Sequence, residues 1–376
     1  MKIIQVIPNL LKGGAQRLVI DICNELTMRS DVQCMLLVLS QSKNEFSHIS
    51  TLINIKQIEV NFNLSIFKKS YINVDAYEKV VNEFEPDIIH SHLYFAELIC
   101  HEKVRKNIIY VTHFHHNIEQ FSKFKISNIL SKKIIVNYYE KKRIFKKYRK
   151  ANKIFITISN DCHQFAKKTL NKNISEKIIK LENAINHSLF EPIKIKKDVI
   201  KIRLVNVGNL IKNKNQLFLI DVVKYLVVKD YDVKLTLVGD GPLKNKLITK
   251  GKELSIENNI QFVGAVNNVQ DYLWNNNFYV HSAFKEAFGL VLIEAMAAKV
   301  PIISFNGEGN QDIIIDNETG FLTNSLDAKI FGDTIIKLFN NKTLYDSIVE
   351  KAYNFSKNYN IKEYSLKLLN IYNQQC

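Results

Sequence analysis

No apolar run in this chain approaches the ~20 residues that a membrane-spanning helix requires, so an integral helical membrane protein is excluded. The five cysteines (Cys23, Cys34, Cys100, Cys162 and Cys376) are scattered and odd in number, and no CxxC occurs. That excludes a disulfide framework and the common thiol metal or redox motifs, and leaves free thiols in a reducing cytoplasm as the expectation. A complete GxGxxG is missing, and the pair Gly13-Gly14 alone carries little weight for dinucleotide binding. The first residues read as a strand cut short by Pro8 and Asn9, not as a signal peptide. Acid is also scarce: 52 Lys+Arg against 37 Asp+Glu give a net charge of +15. A field of that sign attracts nucleic acid, anionic lipid or phosphorylated ligands.

What is present points to a folded α/β protein. Hydrophobic residues make up 46% of 376 positions, enough for two domains with separate cores and too many for a disordered chain. Apolar runs at residues 3–8, 33–39, 87–90, 108–112 and 154–159 alternate with helical patterns, such as Leu18, Ile22 and Leu26 after Gly13-Gly14. The alternation restarts after a polar segment at 182–197, with strands expected at 202–207, 234–238, 260–264, 278–281 and 300–304. Strand–helix alternation of this kind predicts parallel sheets covered by helices on both faces, in two doubly wound domains.

The most informative run is Lys285-Glu286-Ala287-Phe288-Gly289-Leu290, continuing through an apolar helical stretch to Glu294. The backbone N–H groups of Phe288, Gly289 and Leu290 fall where that helix begins, a position suited to a phosphate. Gly289 lets a backbone approach a ligand closely. Glu294, further along the helix, can reach two neighbouring hydroxyls as on a ribose, and Glu286 can reach hydroxyls beyond the phosphates. One element could thus hold all three parts of a nucleotide-sugar. The plainer alternative is a surface helix with two ordinary glutamates.

The surrounding motifs favour the first reading. Leu237-Val238-Gly239-Asp240-Gly241-Pro242-Leu243, Phe262-Val263-Gly264, the E-x7-E pair followed by Glu294-Ala295-Met296-Ala297 and Val300-Pro301, Thr319-Gly320-Phe321-Leu322, and Asn183-Ala184-Ile185-Asn186 occur in order. Together they resemble the retaining GT-B glycosyltransferases of family 4, over nearly the whole chain and most strongly from 205 to 322. The resemblance implies two Rossmann-like doubly wound domains facing each other across a cleft. Residues 1–186 would form the acceptor-binding domain and 187–357 the nucleotide-sugar-binding domain, with 358–376 a terminal helix packing back toward the first.

It also implies an activity. A sugar would pass from a UDP- or GDP-activated donor to a hydroxyl of a glycan or lipid-linked acceptor, with retained configuration and without a metal or other cofactor. Bacterial surface polysaccharide assembly is the implied setting. The donor would be held by Gly13, Gly14, Asn209, Lys214, Val263, Phe288, Gly289, Leu290 and Glu294. His115 or His113, Glu286 and Lys214 would carry catalysis. The chain departs from the family pattern at Asn209, where an arginine is usual, and at Ala184, Ala287 and Lys299, where glycine is usual. A GT-B epimerase or phosphorylase, or a non-catalytic membrane- or nucleic-acid-binding relative, are the competing readings; the E-x7-E helix argues against the first two and intact Glu286, Glu294 and Lys214 against the last.

Two clusters stay open. Six of the ten histidines lie between His90 and His116, with His90 and His92 expected after one strand and His113, His115 and His116 after the next. Imidazoles at adjacent strand ends can bind zinc, but no Cys or carboxylate accompanies them at ligand spacing. The resemblance instead places His115, or else His113, against the donor sugar. Residues 123–153 carry twelve Lys/Arg and one acid, Glu140, with Tyr138, Tyr139, Phe145 and Tyr148 interleaved. Such a stretch suits an anionic inner-membrane surface, a solvated helix or single-stranded nucleic acid. A cytoplasmic enzyme peripheral on the membrane is the expectation, with no nucleic-acid partner.

Overall fold

The computed structural model describes all residues except 42–43, 47–48, 64–70, 122–131, 171–173, 175–176, 193–200 and 375–376. The chain divides into two compact units, Met1–Asn183 with Ile361–Cys376, and Ala184–Asn360.

The N-terminal unit begins with β1 (Lys2–Ile7), α1 (Gly14–Thr27), β2 (Gln33–Val38) and β3 (Asn54–Gln57). A short hairpin of β4 (Phe62–Asn63) and β5 (Tyr71–Ile72) follows, then α2 (Asp75–Phe84), β6 (Ile88–His92), α3 (Leu93–Cys100) and β7 (Ile109–Phe114). The unit continues through α4 (Lys132–Tyr148), β8 (Asn152–Thr157), α5 (Asn160–Thr169) and β9 (Ile178–Lys180). Seven parallel strands lie in the order β3-β2-β1-β6-β7-β8-β9. β6 and β7 are buried along their whole length because helices cover both faces of the sheet. α1 buries Leu18, Ile22 and Leu26, the stripe its 3.6-residue period sets out.

The strands at the histidines run further than their apolar letters suggest. His90 and His92 lie inside β6 and His113 inside β7, not beyond the strand ends; His115 follows β7 directly. Tertiary cover keeps these polar positions in the ladder, since His92 pairs with His113 across the strands. Strand propensity is overridden where both faces are enclosed.

The second unit contains α6 (His187–Phe190), β10 (Ile202–Val207), α7 (Gln216–Val228), β11 (Val233–Val238), α8 (Lys244–Glu253), β12 (Ile260–Gly264) and α9 (Val269–Trp274). It continues with β13 (Phe278–His281), α10 (Leu290–Ala297), β14 (Ile302–Phe305), β15 (Phe321–Thr323), α11 (Ala328–Phe339) and α12 (Lys342–Ser356). Six parallel strands lie in the order β12-β11-β10-β13-β14-β15. The loops leaving β10 and β11 pack backbone on backbone: a Cβ at Gly239 would meet the Gly208 carbonyl oxygen at 2.1 Å. The last helix, α13 (Ile361–Asn373), belongs to the N-terminal unit, where it packs on α1.

Candidate functional site

In the second unit the site grows from the C-terminal ends of β10 and β13. The loop after β13 is fixed by backbone bonds from Phe284 N–H to the Asn213 carbonyl (2.9 Å) and from Glu286 N–H to the Glu308 carbonyl (2.8 Å). Asn213 Nδ2 donates to the Lys285 carbonyl (2.7 Å), and Ser282 Oγ donates to the Lys214 carbonyl (2.8 Å). Gly309, at φ +88°, lies beneath the loop; a Cβ there would strike the Glu286 carbonyl oxygen at 2.2 Å. Glu286 is therefore held on a rigid loop whose neighbours leave it little freedom.

Its carboxylate is enclosed, with 11% of the side chain exposed. Lys214 Nζ donates a short hydrogen bond to Oε1, and His281 Nε2 lies 3.1 Å from the same oxygen. The imidazole lies within hydrogen-bonding distance of the carboxylate but off the ideal alignment. Burial alone would raise the Glu286 pKa; His281 and the Lys214 charge outweigh it and hold the group down to about 2. Both contacts fall on Oε1, and among the described residues neither falls on Oε2.

The loop then enters α10 at Gly289, which sits at φ +81° with no side-chain cap on the helix. Leu292 N–H already bonds the Gly289 carbonyl (2.9 Å). An uncapped helix start offers its leading N–H groups to an anion. Phe288 is buried and Glu294 is 3% exposed in the second turn of α10. Behind both glutamates stands Tyr279, whose hydroxyl lies 3.4 Å from the Val207 carbonyl and 3.5 Å from His281 Nδ1. Burial first, then the charges of Glu286 and Glu294, push that phenol well above its ordinary range.

Of the residues singled out in the sequence, the structure brings Lys214, Glu286, Phe288, Gly289, Leu290 and Glu294 together around this loop and helix. Lys214 is paired with Glu286, and its aliphatic stem passes 3.6 Å from the position of a Cβ on Gly208, next to Asn209. Asn209 is exposed; its carbonyl accepts from Gln216 Nε2 (3.1 Å). Val263 is partly buried near the end of β12. His281 and Tyr279 were not expected. They alternate on one face of β13, a strand whose apolar character hid them, and that i, i+2 polar pair is the signal that could have found them.

The N-terminal unit holds the histidines. Gly13 precedes α1 with an extended φ of −173°, which any residue adopts, and both Gly13 and Gly14 are exposed. His90, His92, His113 and His115 are buried on one face of β6 and at the end of β7. Ligand atoms of His90, His92 and His113 lie within 4.8 Å of one another. Two of the three ring pairs are stacked: His90 and His92 have centroids 4.2 Å apart, and His90 and His113 are inclined by only 11°, while His92 and His113 are tilted by 40°. Stacked rings aim their in-plane lone pairs alongside each other, so His90 would have to rotate to share one ion with either neighbour.

Burial drives the pKa of His90, His92 and His113 well below the ordinary value and takes His115 down to about 3 and His101 to about 4. These imidazoles are neutral when folded and charge when unfolded below about pH 6.5. Burial shifts Glu97, Glu25 and Glu140 upward, an opposing but smaller set. The histidine contribution to stability is thus expected to be complete above pH ~6.5 and to fall as pH drops toward the folded values. Thermal melts at stepwise lower pH should show a declining Tm between about pH 6.5 and 5. A flat Tm across that window would show that the histidines titrate in the folded state.

These features define a class: two parallel-sheet Rossmann-like α/β units, the second carrying a clamped glutamate ahead of an uncapped helix start. The family model for Glycosyl transferases group 1 matches residues 189–355, and that for Glycosyltransferase Family 4 matches residues 12–189. The chain belongs to glycosyltransferase family 4 and has the GT-B fold. It is 33% identical over 143 residues to the capsular polysaccharide biosynthesis glycosyltransferase CapM of Staphylococcus aureus, covering 38% of each chain. It is 36% identical over 126 residues to the N-acetyl-alpha-D-glucosaminyl L-malate synthase of Bacillus anthracis, covering 34% of this chain and 33% of that one. These alignments span a third to two fifths of the relatives' own length. HepE of Anabaena, solved with UDP and glucose, shares the fold with a TM-score of 0.75 at 16% identity, covering 100% of both chains.

Proposed function

We propose that this protein transfers a sugar from a UDP- or GDP-activated donor to a hydroxyl of a glycan or lipid-linked acceptor, with retained configuration and without a metal. The observation that carries the proposal is the ionised Glu286, held through one oxygen by Lys214 and His281 just ahead of an uncapped helix. In this reading the acceptor hydroxyl attacks the face that the diphosphate leaves, and a phosphate oxygen takes its proton. The protein's task is to stabilise the leaving diphosphate and the cationic sugar. The ammonium of Lys214 has three donors, so it can keep Glu286 and still reach a phosphate oxygen. The N–H groups at Phe288–Leu290 complete that cradle, while Asn209 leaves the phosphates with one cation fewer than the family pattern.

Glu286 Oε2 would position the sugar, Glu294 would anchor the ribose, and Val263 would lie beside the base. Gly13 and Gly14 would let their backbone approach a phosphate and the acceptor, and His115, then His113, would face the sugar. CapM supports a setting in surface polysaccharide biosynthesis, and the UDP bound to HepE supports a nucleoside-diphosphate donor. Glu294→Ala is expected to raise the donor KM with a lesser change in kcat, because a ribose contact acts in ground and transition states alike. Steady-state kinetics check this; an unchanged KM would remove Glu294 from the donor site.

We further propose that α4 docks the protein on an anionic inner-membrane leaflet in the cytoplasm. Among the described residues no helix is long and apolar enough to cross a membrane. Part of the basic stretch lies outside the described residues, and part is used internally. Lys141 donates to the Phe121 carbonyl (2.7 Å), while Arg143 and Lys147 pair with Glu102. The rest of α4 and the turn after it expose Ile135, Tyr138, Tyr139, Lys142, Lys146, Arg149 and Lys150. Aromatic rings beside cations suit a lipid headgroup layer, and each cation contributes about 1 kcal/mol, screened by salt. Reversing Lys142, Lys146, Arg149 and Lys150 to Glu should release the protein from phosphatidylglycerol vesicles in sedimentation assays while donor hydrolysis persists. Wild-type protein that ignores such vesicles at low salt would end the membrane reading.

A further inference from the structure

Five buried polar groups of the N-terminal unit form one chain of hydrogen bonds. His115 Nε2 lies 2.9 Å from His92 Nδ1, and His92 Nε2 lies 2.7 Å from Gln5 Oε1. Gln5 Nε2 donates to the Tyr372 hydroxyl (3.1 Å), which lies 2.6 Å from His90 Nδ1. Gln5, His90, His92 and Tyr372 are fully buried and His115 is 7% exposed. The topology brings the groups together: Gln5 on β1 pairs with His90 on β6, His92 pairs with His113, and Tyr372 comes from α13.

The chain has a direction. Gln5 turns its amide nitrogen to Tyr372, so its carbonyl faces His92. A carbonyl can only accept. His92 therefore carries its proton on Nε2 and presents a bare Nδ1. That lone pair needs a donor, which places the His115 proton on Nε2. At the other end, Tyr372 receives from Gln5 and donates to His90 Nδ1. All four bonds then run head to tail, an arrangement in which each polarises the next. The primary amide in the middle makes the chain a setter of polarity, not a conduit for protons. His115 Nδ1 is buried, and among the described residues it has no hydrogen-bond partner. Leu93, immediately after His92, is held at φ +69°, a conformation costly for leucine and concentrated at functional sites.

We infer that Gln5 and Tyr372 are positioning residues that lock His115 as its Nε2–H tautomer, so that Nδ1 accepts a hydrogen bond from a hydroxyl of the transferred sugar. The identity of the hydroxyl's owner rests on the proposed function; the tautomer does not. A lone pair at this position discriminates chemically: it welcomes an O–H or N–H donor and opposes a phosphate or carbonyl oxygen.

Long-range proton–nitrogen correlation spectra of the full-length protein labelled at histidine test the tautomer directly. Wild type is expected to show His92 and His115 protonated at Nε2 and bare at Nδ1. Gln5→Met, close in shape but unable to bond, should mix the tautomers at both residues and lower kcat/KM for nucleotide-sugar hydrolysis roughly tenfold, the scale of one hydrogen bond. Gln5→Glu keeps an acceptor for His92 and should restore the tautomer. Tyr372→Phe, which only loosens the amide, should mix the tautomers less. A wild-type His115 protonated at Nδ1 overturns the inference without need of any variant. So does Gln5→Met with wild-type tautomer populations, even if its activity falls. Mixed tautomers with undiminished hydrolysis overturn the sugar contact alone and with it the assignment of His115 in the proposed function.

Discussion

Glu286→Gln is expected to lower kcat by roughly 10²–10³, the scale on which one preorganised electrostatic contact acts at a transition state. The change keeps the shape of the side chain and removes the charge that the site is built to hold. Glu286 is ionised far below neutral pH because Lys214 and His281 converge on it despite its burial. Its neutral amide would leave the Lys214 ammonium without its partner and offer the developing sugar cation a dipole in place of a charge. The loss should fall on kcat more than on KM, since positive charge grows on the sugar only as the diphosphate departs. Initial rates over a range of donor concentration separate the two. A variant that retains wild-type kcat would place the reacting centre elsewhere.

Lys214→Ala should be of similar size, about 10²–10³ in kcat, for two coupled reasons. It removes the cation proposed to receive the leaving diphosphate, and it strips Glu286 of its short hydrogen bond. Because the two residues touch, their effects should not add: Lys214→Ala with Glu286→Gln should cost little more than the worse single change. Asn209→Arg, which restores a cation beside the same loop, should recover part of the loss. Strictly additive losses in the double variant would show that the pair does not work as a unit.

Much of this site was legible because its residues are close in sequence. Glu286, Gly289 and Glu294 lie on one loop and one helix, and their order carries the chemistry with it. The alternation of apolar runs and helical stripes likewise foretold both parallel sheets, because that periodicity is imposed by strand and helix geometry. What could not be read depends on distance along the chain. Lys214 meets Glu286 across 72 residues and Gln5 meets Tyr372 across 367. No local pattern encodes either meeting. The histidines were misplaced for a different reason: polar letters usually end a strand, but here the ladder continues because the sheet is enclosed on both faces. His281 was missed for the converse reason, an ionisable ring concealed in a short strand that reads as core. Lys141 and Lys147 read as free positive charge in the sequence, but carbonyl and carboxylate oxygens hold them in the fold.

Release of nucleoside diphosphate from a panel of UDP- and GDP-sugars in excess EDTA shows whether the second unit activates a nucleotide-sugar without a metal. One of these sugars should be hydrolysed, EDTA should not slow the reaction, and Glu286→Gln should nearly abolish it. Absence of release from every donor in the panel, or release that EDTA stops, would contradict metal-free activation.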